Sequence, residues 1–279
     1  MRKFLKHIFL FTLILIAVNA ILYFTGKKLY FGSYEVLSLE RRSYFLSDSR
    51  GQALNDLTEK YGVHNFSHGS DSYEDMLRKL RYLVRSTHVD TVYISVDGHS
   101  LTSYRERKNN LDRSVIYCTA EDLGGRLEYF KQRYVKRYLP IFRPEIAEVI
   151  KIYKPASGKK PKMWADRSTD DRIKRAEKRV RTNFPEGVES EKLKEALIEI
   201  MRITRQNNIE LIGIKLPLTR EYNSFAEEID GTADDMLIEN GFKVTDFSKI
   251  FENEPEYFAD QDHLNSTGAQ AVLQYMFGY

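Results

Sequence analysis

The pattern of apolar and polar positions changes character three times along the chain. Residues 1–28 carry one unbroken apolar run, Ile8 to about Phe24, with Arg2, Lys3 and Lys6 before it and Lys27 and Lys28 after it. A run of this length is just enough to cross a bilayer as a helix. Asn19 is its only strongly polar interruption, and nothing in it is amphipathic. Val18-Asn19-Ala20 offers the small residues that signal peptidase accepts, yet the run continues through Ile21, Leu22, Tyr23 and Phe24. The reading is therefore an uncleaved anchor over 1–28, with a cleaved signal as the alternative. The heavier positive flank precedes the run and places the N-terminus inside. The expected location is the inner (cytoplasmic) membrane, single-pass, with the globular part on the extracytoplasmic, periplasmic side.

Residues 29–42 read as a connector. From Ser43 the pattern alternates between strand and helix. "SYFLSD" is a short core strand; "GQALNDLTEKYG" has helical character and stops at Gly62; "VHNFSHGS" is a second strand entering a loop. "SYEDMLRKLRYLVRST" places Met76, Leu77, Leu80, Leu83 and Val84 at helical spacing, capped by Ser72 or Asp71. "DTVYISVD" is a β-rich strand. The alternation lapses over about 100–190, which is polar, Tyr-rich and basic, and reads as an insertion. It resumes with the helix "SEKLKEALIEIMRITRQNN", the buried-type strand "IELIGIKLPL", a helix from Ser224 to Gly241, the strand "FKVTDFS", and a final helix begun by Asn265 or Ser266. Strands alternating with helices predict a parallel sheet with helices on both faces. The expectation for 43–279 is a three-layer α/β/α domain with one large insertion. Ligands in such folds bind at the carboxyl ends of the strands.

Composition sharpens this only in places. With 279 residues, 42% hydrophobic and 30% charged, the chain can build an ordinary globular core. The net charge of +3 hides an uneven distribution: Arg126 to Arg181 holds 18 Lys and Arg against 7 Asp and Glu. Such a block suits a polyanion, a membrane surface or an acidic partner, or is a solvated helical face. The single cysteine, Cys118, excludes an intrachain disulfide and a cysteine zinc site. It lies in "VIYCTA", which reads as a strand. No P-loop or Gly-x-Gly-x-x-Gly occurs, so no nucleotide cofactor is expected. No cofactor, no resident metal and no nucleic-acid partner is expected.

The chemistry concentrates in two stretches. In "FADQDHLNSTGAQ", Asp260 and His263 are three apart ahead of a helix. A carboxylate at that spacing can hold an imidazole's tautomer while the other ring nitrogen faces a hydroxyl. In "FLSDSRGQAL", Ser49 stands at a strand-to-helix corner, either as a nucleophile or as the cap of the helix after it. Together they give serine, acid and base in the order Ser49, Asp260, His263. Arg50, directly after the serine, meets an anionic substrate, pins a carboxylate or forms a surface salt bridge. Asp97 is a second candidate at a strand end.

"SDSRG" and "DQDHLNSTG" resemble the first and last blocks of the SGNH/GDSL hydrolase superfamily, over most of 43–110 and 190–279. The resemblance implies a flavodoxin-like α/β/α fold, with Ser49 as nucleophile, Asp260 as orienting acid and His263 as base. It implies an oxyanion hole built from the Ser49 backbone N–H and Gly69 in "NFSHGSDS". Two positions depart from the family pattern. Ser47 stands where the first block has glycine, and "ISVDGHSL" has no asparagine in the third block, leaving His99 as the candidate donor there. With the anchor, these departures resemble the membrane-anchored SGNH-like branch that modifies the cell envelope. That implies an esterase or O-acyltransferase acting on acyl, typically acetyl, esters of a cell-surface polysaccharide, often beside a membrane-bound O-acyltransferase. The alternative is an inactive subunit of the same fold that holds glycan or such a partner.

Overall fold

The computed structural model describes residues 1–35, 37–139, 162–185, 189–226 and 233–278. The chain divides into two compact units: Met1–Val36 with Asp112–Lys160, and Leu37–Leu111 with Pro161–Tyr279.

The second unit holds the sheet. Its strands are β1 (Ser43–Leu46), β2 (Val63–Asn65), β3 (Thr91–Ser95), β4 (Glu210–Lys215) and β5 (Lys243–Asp246). All four pairings are parallel and the order is β2-β1-β3-β4-β5. This is the flavodoxin-like order, whose direction of winding reverses between β1 and β3. Both faces are covered, which is why these strands read as nearly continuous apolar runs rather than alternating ones.

The helices that bear on the site and its support are α1 (Arg2–Gly26), α2 (Ser49–Gln52), α3 (Tyr73–Ser86), α4 (Thr169–Asn183), α5 (Glu191–Gln206), α6 (Arg220–Ala226), α7 (Ala233–Glu239) and α8 (Ser266–Phe277). On one face Phe45 and Ile214 pack with Val272 and Leu273 of α8, with Tyr93 and Ile212 beside them. On the other, Gly213 faces Leu237 of α7: a Cβ there would lie 2.9 Å from that leucine. α3 and α5 carry the apolar stripes read from sequence, and Arg81 and Glu199 pair between them at 3.1 Å. The caps follow sequence rules. Ser72 and Asp75 form a capping box on α3, and Asn265 accepts from the Thr267 and Gly268 N–H groups on α8.

Three expectations need revision. The helical stretch after β1 is short: α2 has one turn, followed by a 3-10 turn over Asn55–Tyr61. Of the helix expected over 224–241, residues 224–226 fall in α6 and 233–239 in α7, and 227–232 lies outside the described residues. "VIYCTA" is no strand; Val115–Tyr117 is a 3-10 turn ending at buried Cys118. Val115 and Ile116 favour a strand by propensity, but that preference is set by packing context and is overridden here. The stretch 100–190, read as one insertion, is shared: 112–160 groups with the N-terminal segment, while α4 packs on the sheet unit, Ala176 and Val180 meeting Leu218 and Tyr222.

The first unit contains α1, which runs on through a π turn at Lys27–Phe31. This helix is long and apolar enough to cross a membrane.

The corner after β1 depends on small side chains. Buried Ser47 accepts the Gly51 N–H at 3.2 Å. A Cβ on Gly51 would lie 2.3 Å from Ser47 Cβ and 2.8 Å from the Phe45 ring. Gly51→Ala is therefore expected to destabilise the fold by about 1–3 kcal/mol, with Ser47→Gly recovering part of the loss. Urea melts of the single and double variants measure both.

Candidate active site

β1 ends and α2 begins within three residues, and this corner presents Ser49. Asp48 takes the capping role: its Oδ1 accepts the Arg50 N–H at 2.9 Å. Ser49 is the first helical residue, and its hydroxyl is not the cap. Across the site, the loop before α8 brings His263 to it. His263 Nε2 lies 2.8 Å from Ser49 Oγ, and His263 Nδ1 lies 2.8 Å from Asp260 Oδ1. Asp262 Oδ1 stands 3.3 Å from the same Nδ1. The three residues singled out from sequence thus meet in one hydrogen-bonded chain, spanning 214 positions between serine and imidazole.

Arg50 and Asp97, expected to meet substrate, do not face solvent. Both are buried, and Arg50 Nη1 pairs with Asp97 Oδ1 at 3.3 Å. Arg50 Nη2 also reaches Asp262 at 3.4 Å and donates to the Tyr222 hydroxyl at 3.0 Å. Asp262 takes a second cation, Arg179, at 2.9 Å. Asn183 donates to the same Tyr222 oxygen at 2.8 Å. Arg50 is thus a strut that ties the ends of β1 and β3 to the loop carrying His263. Of its three sequence readings, pinning a carboxylate is the one the geometry matches; the pairing is buried and is no surface salt bridge.

His99 is likewise committed. It is buried, and its Nε2 lies 3.3 Å from Asp48 Oδ2. Burial, together with the charges of Arg50 and Arg105, lowers its pKa to about 4 despite the Asp48 hydrogen bond. Asp48 is held well below the usual carboxylate range: burial opposes this, but the His99 hydrogen bond and Arg105 outweigh it. The neutral ring therefore gives its one N–H to Asp48 and has none for an oxyanion. Burial and the Asp48 charge push Asp97 up to about 6, against Arg50.

Two backbone donors flank Ser49. Among the described residues its own N–H meets no acceptor, as expected in the first turn of a helix. Gly69 lies beside it, since a Cβ there would be 3.8 Å from Ser49 Cβ. The Gly69 N–H is engaged: Gln52 Oε1 accepts it at 2.7 Å. Asn110 donates to the Gly69 carbonyl at 2.8 Å and to Asp71 at 2.6 Å, holding the loop in place. Asp71 is also paired to buried Lys79, and its backbone carbonyl accepts from Arg105.

Residues missed from sequence are Gln52, Arg105, Asn110, Arg179 and Tyr222. Asp262 stood inside a quoted motif, but nothing local marked it as the anchor of two arginines. Asp260, Asp262 and His263 present ligand atoms within 4.8 Å of one another. With two arginines on Asp262, the cluster has little negative charge left for a cation.

Comparisons with known proteins add little. No protein-family model and no curated protein matches the chain. Among solved structures, one similar chain is a Bacteroides fragilis protein described as "a putative acylhydrolase", 13% identical, with a TM-score of 0.41, over 91% of this chain and 96% of that one.

Electrostatics set the protonation of His263. The cluster holds the carboxylates Asp48, Asp97, Asp260 and Asp262 against Arg50, Arg105 and Arg179, so it balances only when His263 is charged. Burial works against that charge, but the hydrogen bonds and charges of Asp260 and Asp262 prevail and raise the pKa to about 10. Near neutral pH, Nε2–H donates to Ser49 Oγ; above the raised pKa the ring accepts from the hydroxyl. The folded pKa lies above the unfolded value, so this stabilisation is complete below about pH 6.5 and is lost as pH rises through about 10. The His263 ring resonances should titrate well above 6.5 in NMR spectra, and Asp260→Asn should move the midpoint down. A midpoint near 6.5 in both proteins contradicts this account. Arg50→Met, which strands buried Asp97 and removes one of the two arginines on Asp262, should cost about 3–5 kcal/mol in denaturant unfolding.

Proposed function

We propose that the chain is a membrane-anchored serine esterase or O-acyltransferase acting on acyl esters of a cell-surface glycan. One observation carries the reading: the unbroken sequence of 2.8 Å contacts from Ser49 Oγ through His263 to Asp260. A helix-capping serine has no need of an imidazole whose far nitrogen is held by a carboxylate.

In this mechanism His263, in its neutral form, takes the Ser49 proton as Oγ bonds to the acyl carbonyl carbon. Nε2 then delivers that proton to the departing oxygen. The acyl group then leaves Ser49 for water or a sugar hydroxyl, which gives its proton to His263 as its oxygen bonds to the acyl carbon; His263 returns that proton to Ser49 Oγ as the Oγ–acyl bond breaks. Asp260 keeps Nδ1 protonated and the ring oriented. The oxyanion is held by the Ser49 N–H and by the Gly69 N–H once the substrate oxygen replaces Gln52 Oε1. The third-block donor is missing, and one such donor is worth about 10²–10³ in rate. α1 acts as the anchor, with the sheet unit on the extracytoplasmic side; a membrane-bound acyltransferase is the partner class that would supply acyl groups there.

A second reading, a non-catalytic subunit that holds glycan, is favoured by one feature. The side-chain N–H of His99 and the Gly69 N–H are both spent inside the protein.

A fluorophosphonate probe separates the two. Wild type should label, at a rate rising with pH through the alkaline range as His263 loses its proton. Ser49→Ala should not label, and His263→Ala should label about 10²–10⁴-fold more slowly. Wild type that stays unlabelled from pH 7 to above pH 10 rules out the enzyme. Acetate release from an O-acetylated glycan, against transfer to added glycan, then distinguishes esterase from transferase.

A further inference from the structure

The first unit carries a feature that the catalytic reading does not use. Residues 1–18 of the N-terminal helix are exposed throughout, whereas part of the surface from Asn19 to Phe31 is covered. The cover comes from a helical run built of Arg126–Phe130, Lys131–Val135 and Lys136–Tyr138. Tyr138 stacks on Tyr23, with ring centroids 5.4 Å apart. The Asn19 side-chain amide donates to the Tyr138 carbonyl at 2.9 Å. Two otherwise costly groups meet here. An amide in the middle of an apolar helix lacks partners in lipid, and a carbonyl at a helix C-terminus lacks an intrahelical donor.

Depth follows from this contact. Asn19 lies two turns before Lys27, about 12 Å along the helix axis. If α1 spans, the Tyr138 backbone lies below the headgroups. Its neighbour Arg137 reaches the other way, to Glu35 and to the face of Phe31 at 5.8 Å. A cationic head directed toward the membrane surface from a stem at apolar depth is the snorkelling arrangement.

The outer face of the run has the matching composition. Leu127, Phe130, Tyr134 and Tyr138 recur at helical spacing and are 82%, 57%, 41% and 50% exposed. Phe130, Tyr134 and Tyr138 form a ladder of rings, with centroids 5.6 and 6.4 Å apart. Arg126, Lys131, Arg133, Lys136 and Arg137 flank the stripe against the single acidic Glu128. An aromatic and aliphatic stripe edged by basic residues is the signature of a helix lying in a membrane interface.

We propose that Arg126–Leu139 is a second membrane element, seated in the leaflet that receives the Asn19–Phe24 end of α1. Its Leu127, Phe130 and Tyr134 face enters the boundary between acyl chains and headgroups, and its basic side chains meet anionic headgroups. The partner is lipid. This proposal rests on the reading of α1 as a membrane span.

The full chain, reconstituted in phosphatidylethanolamine and phosphatidylglycerol vesicles, tests it. Leu127→Trp and Phe130→Trp each add one tryptophan to the buried Trp164; Tyr275→Trp on α8 is the exposed control. With doxyl groups on the lipid acyl chains, emission from the Leu127→Trp and Phe130→Trp variants should fall at least about twofold, and that of the control and wild type should not. Alkaline carbonate extraction reports on α1 separately. Protein that stays in the pellet but shows no added quenching overturns the second element while leaving the anchor intact; its face is then covered by protein or by nothing. Protein released by carbonate overturns the anchor, and this proposal with it.

Discussion

Arg50 is the charge on which the site depends. Its guanidinium is buried behind the serine it follows, and it reaches Asp97 after β3 and Asp262 in the loop before α8. A buried arginine is tolerated only with its partners in place, and each partner is tolerated only with the arginine. The three segments that bring serine, imidazole and backbone donors together are therefore held by one mutual requirement. Tyr222 extends it to α6, and Arg179 extends it to α4 through Asp262. The parallel sheet places strand ends side by side; this ion-paired strut fixes what stands on them.

The same charge balance explains the protonation of the imidazole. Four carboxylates face three arginines, and His263 supplies the missing positive charge. On the proposed esterase or transferase reading, a resting imidazolium over the serine hydroxyl must lose its proton before the serine can react. The donors around the serine show a parallel restraint, because Gln52 already occupies the Gly69 N–H. On that reading, both features make the site one that substrate or alkaline pH must open, rather than one standing ready.

Ser47 is accommodated by its neighbour Gly51. A glycine at that position would leave room; here the room comes four residues later, from Gly51, whose missing Cβ accommodates the Ser47 side chain. The serine hydroxyl then accepts the Gly51 N–H in return. His99 has no N–H to offer a ligand beside Ser49, because the one N–H of that neutral ring belongs to Asp48.

Local pattern alone determined a good deal. The strand–helix alternation of 43–97 and 190–279 led to the parallel sheet, because apolar periodicity is a property of neighbouring residues. The three-residue spacing of Asp260 and His263 predicted their contact, and the pairing with Ser49 came from motif resemblance. The long apolar run of α1 was visible by length. What only the tertiary structure decided are the long-range pairings: Arg50 as strut, Arg179 on Asp262, Asn110 behind Gly69, Gln52 on the Gly69 N–H. The division of 100–190 between the two units and the meeting of Asn19 with Tyr138 belong to the same class. Charged and amide side chains carry no period that names their partners. Burial makes those partners obligatory, and burial is settled only when distant segments pack.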